Sequence, residues 1–264
     1  MHYQLDGQGP CIVLIHGLFG DLNNLNACAR ALQAAGFQTL RVSLRNHDGQ
    51  AEQSSMSFAE MAADLEALRQ QLGIEQWGLL GHSLGGKVAM TYAQANPNRC
   101  WALLVADIAP EGYHRRHDTI LAALAELDPA NLSNRSQAQQ ALTALGIDSA
   151  TTAFLAKNLV SRPQGGFELK IRIDAIRRCY PQLIAAIPDQ PPFEGPTLFV
   201  KGALSDYLTT EHQAGIQRRF PRAKARIIAG AGHWLHSQKA EAFNRHASDF
   251  FQAHTPVVAA PPGL

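Results

Sequence analysis

The chain has 264 residues, of which 46% are apolar and 17% charged, enough for one large domain, or one domain with an insertion, around a sizeable core. A formal net charge of +1 leaves no electrostatic footprint for nucleic acid or an anionic membrane, and no apolar run approaches a membrane span. The first residues, Met1-His2-Tyr3-Gln4-Leu5-Asp6, carry neither the basic region nor the apolar core of a secretory signal. Cys11, Cys28, Cys100 and Cys179 make no C-x-x-C and lie far apart, so they read as buried or incidental thiols. The 11 histidines are scattered without metal-ligand spacing, and no metal site is expected. A cytoplasmic, reducing setting is the expectation from these features.

Cys11-Ile12-Val13-Leu14-Ile15 predicts a strand buried on both faces of a parallel sheet, and it runs into His16-Gly17-Leu18-Phe19-Gly20. Residues 22–35 have helical apolar spacing and stop at Gly36, a C-cap signal. Residues 37–44 predict a strand. The loop Arg45-Asn46-His47-Asp48-Gly49 then reads either as a wall of a ligand site at a strand's C-terminal end or as a solvated turn. An amphipathic helix is predicted over 57–73, capped by Ser57 or Ser55, with Met61, Leu65, Leu68 and Leu72 as its stripe. A short buried strand at 77–80 and a helix at 87–95 flank Gly81-His82-Ser83-Leu84-Gly85-Gly86. Residues 101–106 predict another buried strand, ending at Asp107.

From 111 to 190 the strand–helix alternation stops. This stretch reads as a mostly helical cap inserted over one edge of the sheet, with loops at Asp128-Pro129, at 131–134 and at Arg162-Pro163-Gln164-Gly165-Gly166. The strand pattern resumes at 197–202, followed by a loop containing Ser205 and Asp206 and a helix over 210–220. A last strand at 225–228 leads into Gly230-Ala231-Gly232-His233-Trp234-Leu235-His236 and a closing helix to about residue 252. The expected organisation is a core of 1–110 and 191–254, a cap of 111–190, and a Pro- and Ala-rich tail at 255–264 that is disordered.

A Gly-x-Ser-x-Gly pentad between a strand and a helix is the context of a nucleophile elbow. The elbow strains Ser83 and lifts its hydroxyl off the sheet edge, while Gly81 and Gly85 let strand and helix approach closely. The helix N-terminus places N–H groups where negative charge develops. A serine hydroxyl also needs a base, and the base needs a third group to orient it. His233, in a glycine-flanked loop after the last strand, is the candidate base, with His236 structural. Asp107 and Asp206 are both candidate acids, each placed to reach the histidine. The early His-Gly loop supplies a second oxyanion N–H beside that of Leu84; Leu18 is the first choice and Phe19 the second, with His16 bracing the loop.

His16-Gly17-Leu18-Phe19-Gly20, Arg45-Asn46-His47, Gly81-His82-Ser83-Leu84-Gly85-Gly86-Lys87, Asp107-Ile108-Ala109-Pro110 and Gly230-Ala231-Gly232-His233-Trp234 together resemble the YbfF-type esterases of the α/β-hydrolase superfamily, from about Cys11 to Phe251. The resemblance implies a mostly parallel sheet flanked by helices, a helical cap, and serine hydrolysis of acyl esters or thioesters without a cofactor. It also implies Asp107 as the acid: the superfamily's usual Gly-x-x-Asp, counted from Gly202, falls on Ser205, and Asp206 is displaced by one. Ser205 is then an extra hydrogen-bond partner of His233. Asp48 stands where the family pattern has glycine, and Gly49 restores the turn. The rival readings are C–C bond hydrolysis or lyase chemistry on the same scaffold, and a non-catalytic binding protein. Tyr113, Phe154, Leu155, Leu159 and Tyr180 read as cap core, and Arg115-Arg116-His117 as a solvated basic run.

Overall fold

The strand over Cys11–Ile15 shows how the molecule is layered. Val13 and Ile15 pack into one apolar cluster, and Ile12 and Leu14 into a second on the opposite face, as a strand buried on both sides requires. The computed structural model describes residues 1–49 and 51–256, so the expected disordered tail lies, from residue 257 onward, outside the described residues. In chain order the elements are β1 (His2–Asp6), β2 (Cys11–Ile15), α1 (Asn26–Ala34), β3 (Gln38–Ser43), α2 (Phe58–Gln71), β4 (Trp77–His82), α3 (Leu84–Ala95) and β5 (Cys100–Ala106). There follow α4 (Asp118–Glu126), α5 (Arg135–Ala144), α6 (Ser149–Leu155), β6 (Leu159–Ser161), β7 (Phe167–Leu169) and α7 (Ile173–Ile184). The chain closes with β8 (Thr197–Gly202), α8 (Gln213–Arg219), β9 (Ala223–Ile228), α9 (Leu235–Gln238) and α10 (Ala240–Ala253).

Seven strands form one sheet in the order β1-β3-β2-β4-β5-β8-β9. All neighbouring pairs are parallel except β1 with β3. Leu32 of α1 and Phe243 and Phe251 of α10 pack on one face, and Met61 and Leu65 of α2 and Val88 of α3 on the other. The C-terminal ends of the parallel strands therefore gather at one edge, where ligands bind in open α/β sheets. Between β5 and β8 the chain adds no strand to this sheet; it forms α4 to α7 and the two-stranded β6–β7 sheet. Among the described residues no helix is long and apolar enough to cross a membrane.

Three local expectations are corrected. Residues 22–25 form turns, and α1 begins only at Asn26: the Asp21 carboxylate accepts the Asn23 N–H at 2.7 Å, giving the chain a local alternative to the helix. Within the mostly helical stretch, Leu159–Ser161 and Phe167–Leu169 pair as a short hairpin. The predicted Arg162 to Gly166 loop is its turn, with Gly165 and Gly166 at φ +91° and +70°. The edge strand β1 has no apolar signature in the sequence, being largely exposed and carrying no buried run. Ser57, rather than Ser55, is the N-cap of α2, in a capping box with Glu60.

Candidate active site

β4 delivers its chain directly into Ser83, which holds φ +53° and ψ −121°, a conformation costing an L-residue about 1–3 kcal/mol. The Ser83 N–H donates to the Ala106 carbonyl at 3.0 Å, stitching the elbow to the end of β5. A Cβ at Gly81 would stand 2.2 Å from the Gly85 carbonyl oxygen, and one at Gly85 2.3 Å from that of Ile15; no other residue fits at either place. Among the described residues the non-glycine positions with positive φ are Phe19, Asn46, Ser83 and Asp107. Each lies in the loop that leaves the C-terminal end of β2, β3, β4 or β5, so backbone strain is concentrated at one sheet edge.

At that edge the side chains of three distant segments form one hydrogen-bonded chain. His233 Nε2 is 2.9 Å from Ser83 Oγ, and His233 Nδ1 is 2.8 Å from Asp107 Oδ2. A carboxylate only accepts, so Nδ1 carries the proton and Nε2 is free to accept from the serine hydroxyl. Asp107 is fully buried. It also accepts the Gly202 N–H at 3.0 Å and the Ser205 hydroxyl, which offsets the cost of burying its charge. Ser205 thus bonds Asp107, not His233 as expected. Asp206 pairs instead with Arg116 at 3.1 Å, its side chain 76% exposed. His82 Nε2 donates to the His233 carbonyl at 2.8 Å and fixes the loop. Burial, then His236 and His233, holds the His82 imidazole well below its ordinary range; burial pushes His236 down to about 4. Both are neutral neighbours of His233.

Ser83 sits where two cavities meet. One, of about 40 Å³, is bounded by Leu84, Ile108, Leu183 and Ile184. The other, of about 920 Å³, is bounded by His233, Trp234, Phe154 and Lys157. A family model for the alpha/beta hydrolase fold matches residues 10–240. The chain is 33% identical to esterase YbfF of Escherichia coli strain K12, over 89% of this chain and 90% of that one. It is also 33% identical to the sn-1-specific diacylglycerol lipase ABHD11 of Mus musculus, over 93% and 83%. A solved structure, a marine microorganism esterase, superposes with a TM-score of 0.90 at 34% identity, covering 94% of this chain and 98% of that one. The chain belongs to the α/β-hydrolase family.

In this hydrolase the two early loops brace each other. His16 accepts the Leu44 N–H at Nε2 (3.0 Å) and donates from Nδ1 to the Gly17 carbonyl (2.8 Å). His47 donates to the Arg45 carbonyl at 2.7 Å and accepts the Phe19 N–H at 3.2 Å. Burial, then His16, pushes His47 down to about 3, keeping it the neutral acceptor that Phe19 requires. Asn46 and His47 are buried, so their loop is an internal brace behind the site, not a solvated turn. Gly49 takes φ +80° beside Asp48.

The segment between β5 and β8 supplies residues that sequence reasoning assigned elsewhere or missed. Arg115 pairs with Asp118 and Arg116 with Asp206, so the basic run is neutralised. Arg116 and His117 border both cavities, and Tyr113, Tyr180 and Phe154 border one or the other. Leu155 and Leu159 are core, Leu155 also bordering the larger cavity. Tyr207 stacks on the His233 ring at 3.7 Å and 15°, with the Arg116 guanidinium 4.5 Å from its own ring centre. No motif marks Tyr207; only the fold brings it to His233. Lys87 is 1% exposed, and burial pushes its ammonium down to about 7. Its Nζ donates to the Glu111 and Ala185 carbonyls, each at 2.6 Å. Among the described residues no cluster of three His, Cys, Asp or Glu side chains is arranged to hold a metal ion.

Proposed function

We propose that the chain cleaves acyl esters through an acyl-enzyme on Ser83, with His233 as general base and acid, Asp107 as the orienting carboxylate, and the Leu18 and Leu84 N–H groups as the oxyanion hole. It is a carboxylesterase-type hydrolase. The observation that carries the reading is the unbroken Ser83–His233–Asp107 hydrogen-bonded chain, standing on a strained elbow. Leu18 is the donor from the early loop because its neighbour Phe19 already gives its N–H to His47. Leu84 is the first residue of α3, where the helix leaves N–H groups unpaired and adds its positive dipole end.

In the first half-reaction Ser83 Oγ bonds to the acyl carbon as its proton passes to His233 Nε2. The oxyanion is held by the two N–H groups, and the imidazolium is held by Asp107. Collapse breaks the bond to the leaving oxygen, which takes the proton from Nε2. Water then gives its proton to His233, attacks the acyl-enzyme, and the released acid leaves Ser83 re-protonated. A thioester follows the same steps with sulfur leaving. Residues 111–190 act as a cap over the site, supported by their place along both cavities. The four buried, unpaired thiols support a reducing, cytoplasmic setting. Substituting Ser83→Ala is expected to lower ester turnover by about 10⁶-fold with an unchanged circular-dichroism spectrum. A folded Ser83→Ala protein that still turns over p-nitrophenyl acetate contradicts the assignment.

A further inference from the structure

We propose that the site is partitioned at Ser83: the acyl group occupies the small apolar chamber, the alcohol or thiol occupies the large chamber of mixed lining, and the substrates are short-acyl esters or thioesters with bulky leaving groups. The inference rests on the acyl-transfer reading above and names the substrate class of that same site.

The direction follows from the proton. His233 Nε2 hands its proton to the leaving atom, so the leaving group lies on the His233 side of the tetrahedral carbon and the acyl chain on the other. His233, Trp234 and His236 border the chamber of about 920 Å³ and not the smaller one. The smaller chamber, beyond Leu84, has about 40 Å³. It is more than twentyfold smaller than the other chamber, and it suits a short acyl chain, up to about butanoyl.

The walls of the small chamber are tied down. The Tyr180 hydroxyl accepts the Arg116 and His117 N–H groups at 3.3 and 3.1 Å and meets His117 Nδ1 at 2.8 Å. The Tyr113 hydroxyl accepts the Ala109 N–H at 2.8 Å and donates to the Tyr207 carbonyl. Lys87 holds the Glu111 and Ala185 carbonyls, which lie at the two ends of the segment between β5 and β8. Widening the chamber for a long chain breaks buried hydrogen bonds, each left unmade at a cost. The large chamber needs no such change. Asn24, Asp148, Lys157 and Lys170 lie on its border beside Phe19, Ile120, Phe154 and Trp234, a mixed lining suited to a bulky alcohol or thiol with polar and apolar parts.

The test is a chain-length series of p-nitrophenyl esters from acetate to decanoate on the full-length protein. We expect kcat/KM to fall by at least about tenfold beyond butanoate, the discrimination that about one methylene in excess of a closed apolar pocket gives. 4-Methylumbelliferyl acetate, with a larger leaving group, is hydrolysed as fast as p-nitrophenyl acetate or faster. Leu183→Ala and Ile184→Ala, made separately so that one misfolded variant does not end the test, shift the optimum to hexanoate or longer. A wild-type profile that stays flat or rises to decanoate overturns the partition, as does a profile unchanged in a folded variant. Absence of all ester turnover, or turnover surviving in Ser83→Ala, overturns the acyl-transfer reading itself.

Discussion

The sheet side of the cleft is held by backbone geometry, whereas the side contributed by residues 111–190 is held by long side chains. On the sheet side, Phe19, Asn46, Ser83 and Asp107 each turn the chain at a strand end with positive φ, and glycine contacts leave no room for a Cβ at Gly81 or Gly85. On the other side, Lys87, Tyr113, Tyr180 and Arg116 reach across to carbonyls, N–H groups or ring faces of distant segments. Strained turns fix an atom to within a fraction of an ångström and suit the reacting groups. Side-chain ties fix a volume and suit the choice of substrate.

The largest effect expected from this contrast separates the two aspartates. Asp107 is buried on a strained backbone; Asp206 is an exposed partner of Arg116. Asp107→Asn is expected to lower kcat by about 10⁴-fold, because the amide no longer dictates the imidazole tautomer. Asp206→Asn is expected to change it by less than about fivefold, the range of an exposed ion pair. Steady-state kinetics on both variants decide it, and an equal loss in the two would erase the distinction between the walls.

A smaller effect tests the side-chain ties. Lys87→Met leaves the Glu111 and Ala185 carbonyls without their donor and is expected to cost about 2 kcal/mol in urea unfolding at pH 7. The sign of its pH dependence is fixed. With the folded value pushed down to about 7 from an ordinary 10.5, the unfolded chain binds more protons between those values, so the wild type gains stability over the variant from pH 7 to pH 10. The neutral amine still has two N–H groups for the two carbonyls. A difference that does not grow with pH contradicts this.

The smallest effect concerns the braces behind the sheet edge. His47 and His236 are pushed down to about 3 and about 4 by burial, from an ordinary 6.5. Their contribution to stability is present above pH 6.5 and is lost as pH falls through about 4 and then about 3, because the unfolded imidazoles take up protons first. The melting temperature is expected to drop steadily below pH 6.5. A melting temperature constant from pH 6.5 to 4 would show that these rings are not buried neutral.

Much of the sheet was legible because its signals are local. Cys11–Ile15, short, β-branched and wholly apolar, read as a strand buried on both sides, and the Gly-x-Ser-x-Gly pentad between apolar strand and helix marked Ser83 and the first turn of α3. His233 was legible from chain order and its flanking glycines. The acid was open on the residues alone, because Asp107 and Asp206 both lie in a loop after a strand; what sets Asp107 apart is its φ of +55°, the Gly202 N–H it accepts and its contact with His233, none of them written in composition. Ser205 was assigned to the wrong partner by one bond for the same reason. Tyr207 and the reach of Lys87 were invisible, since their partners lie 26 and 98 residues away or less, across packing that no periodicity encodes. β1 escaped notice because a half-exposed edge strand has no buried run, and the β6–β7 hairpin because its strands have three residues each.

The central claim is that Ser83, and no other side chain, carries the acyl group. Intact-mass analysis after treatment with a fluorophosphonate, followed by peptide mapping, measures it directly. The account predicts one adduct per chain, on the peptide containing Ser83, with ester hydrolysis lost in proportion. An adduct elsewhere, or none while hydrolysis continues, would contradict it.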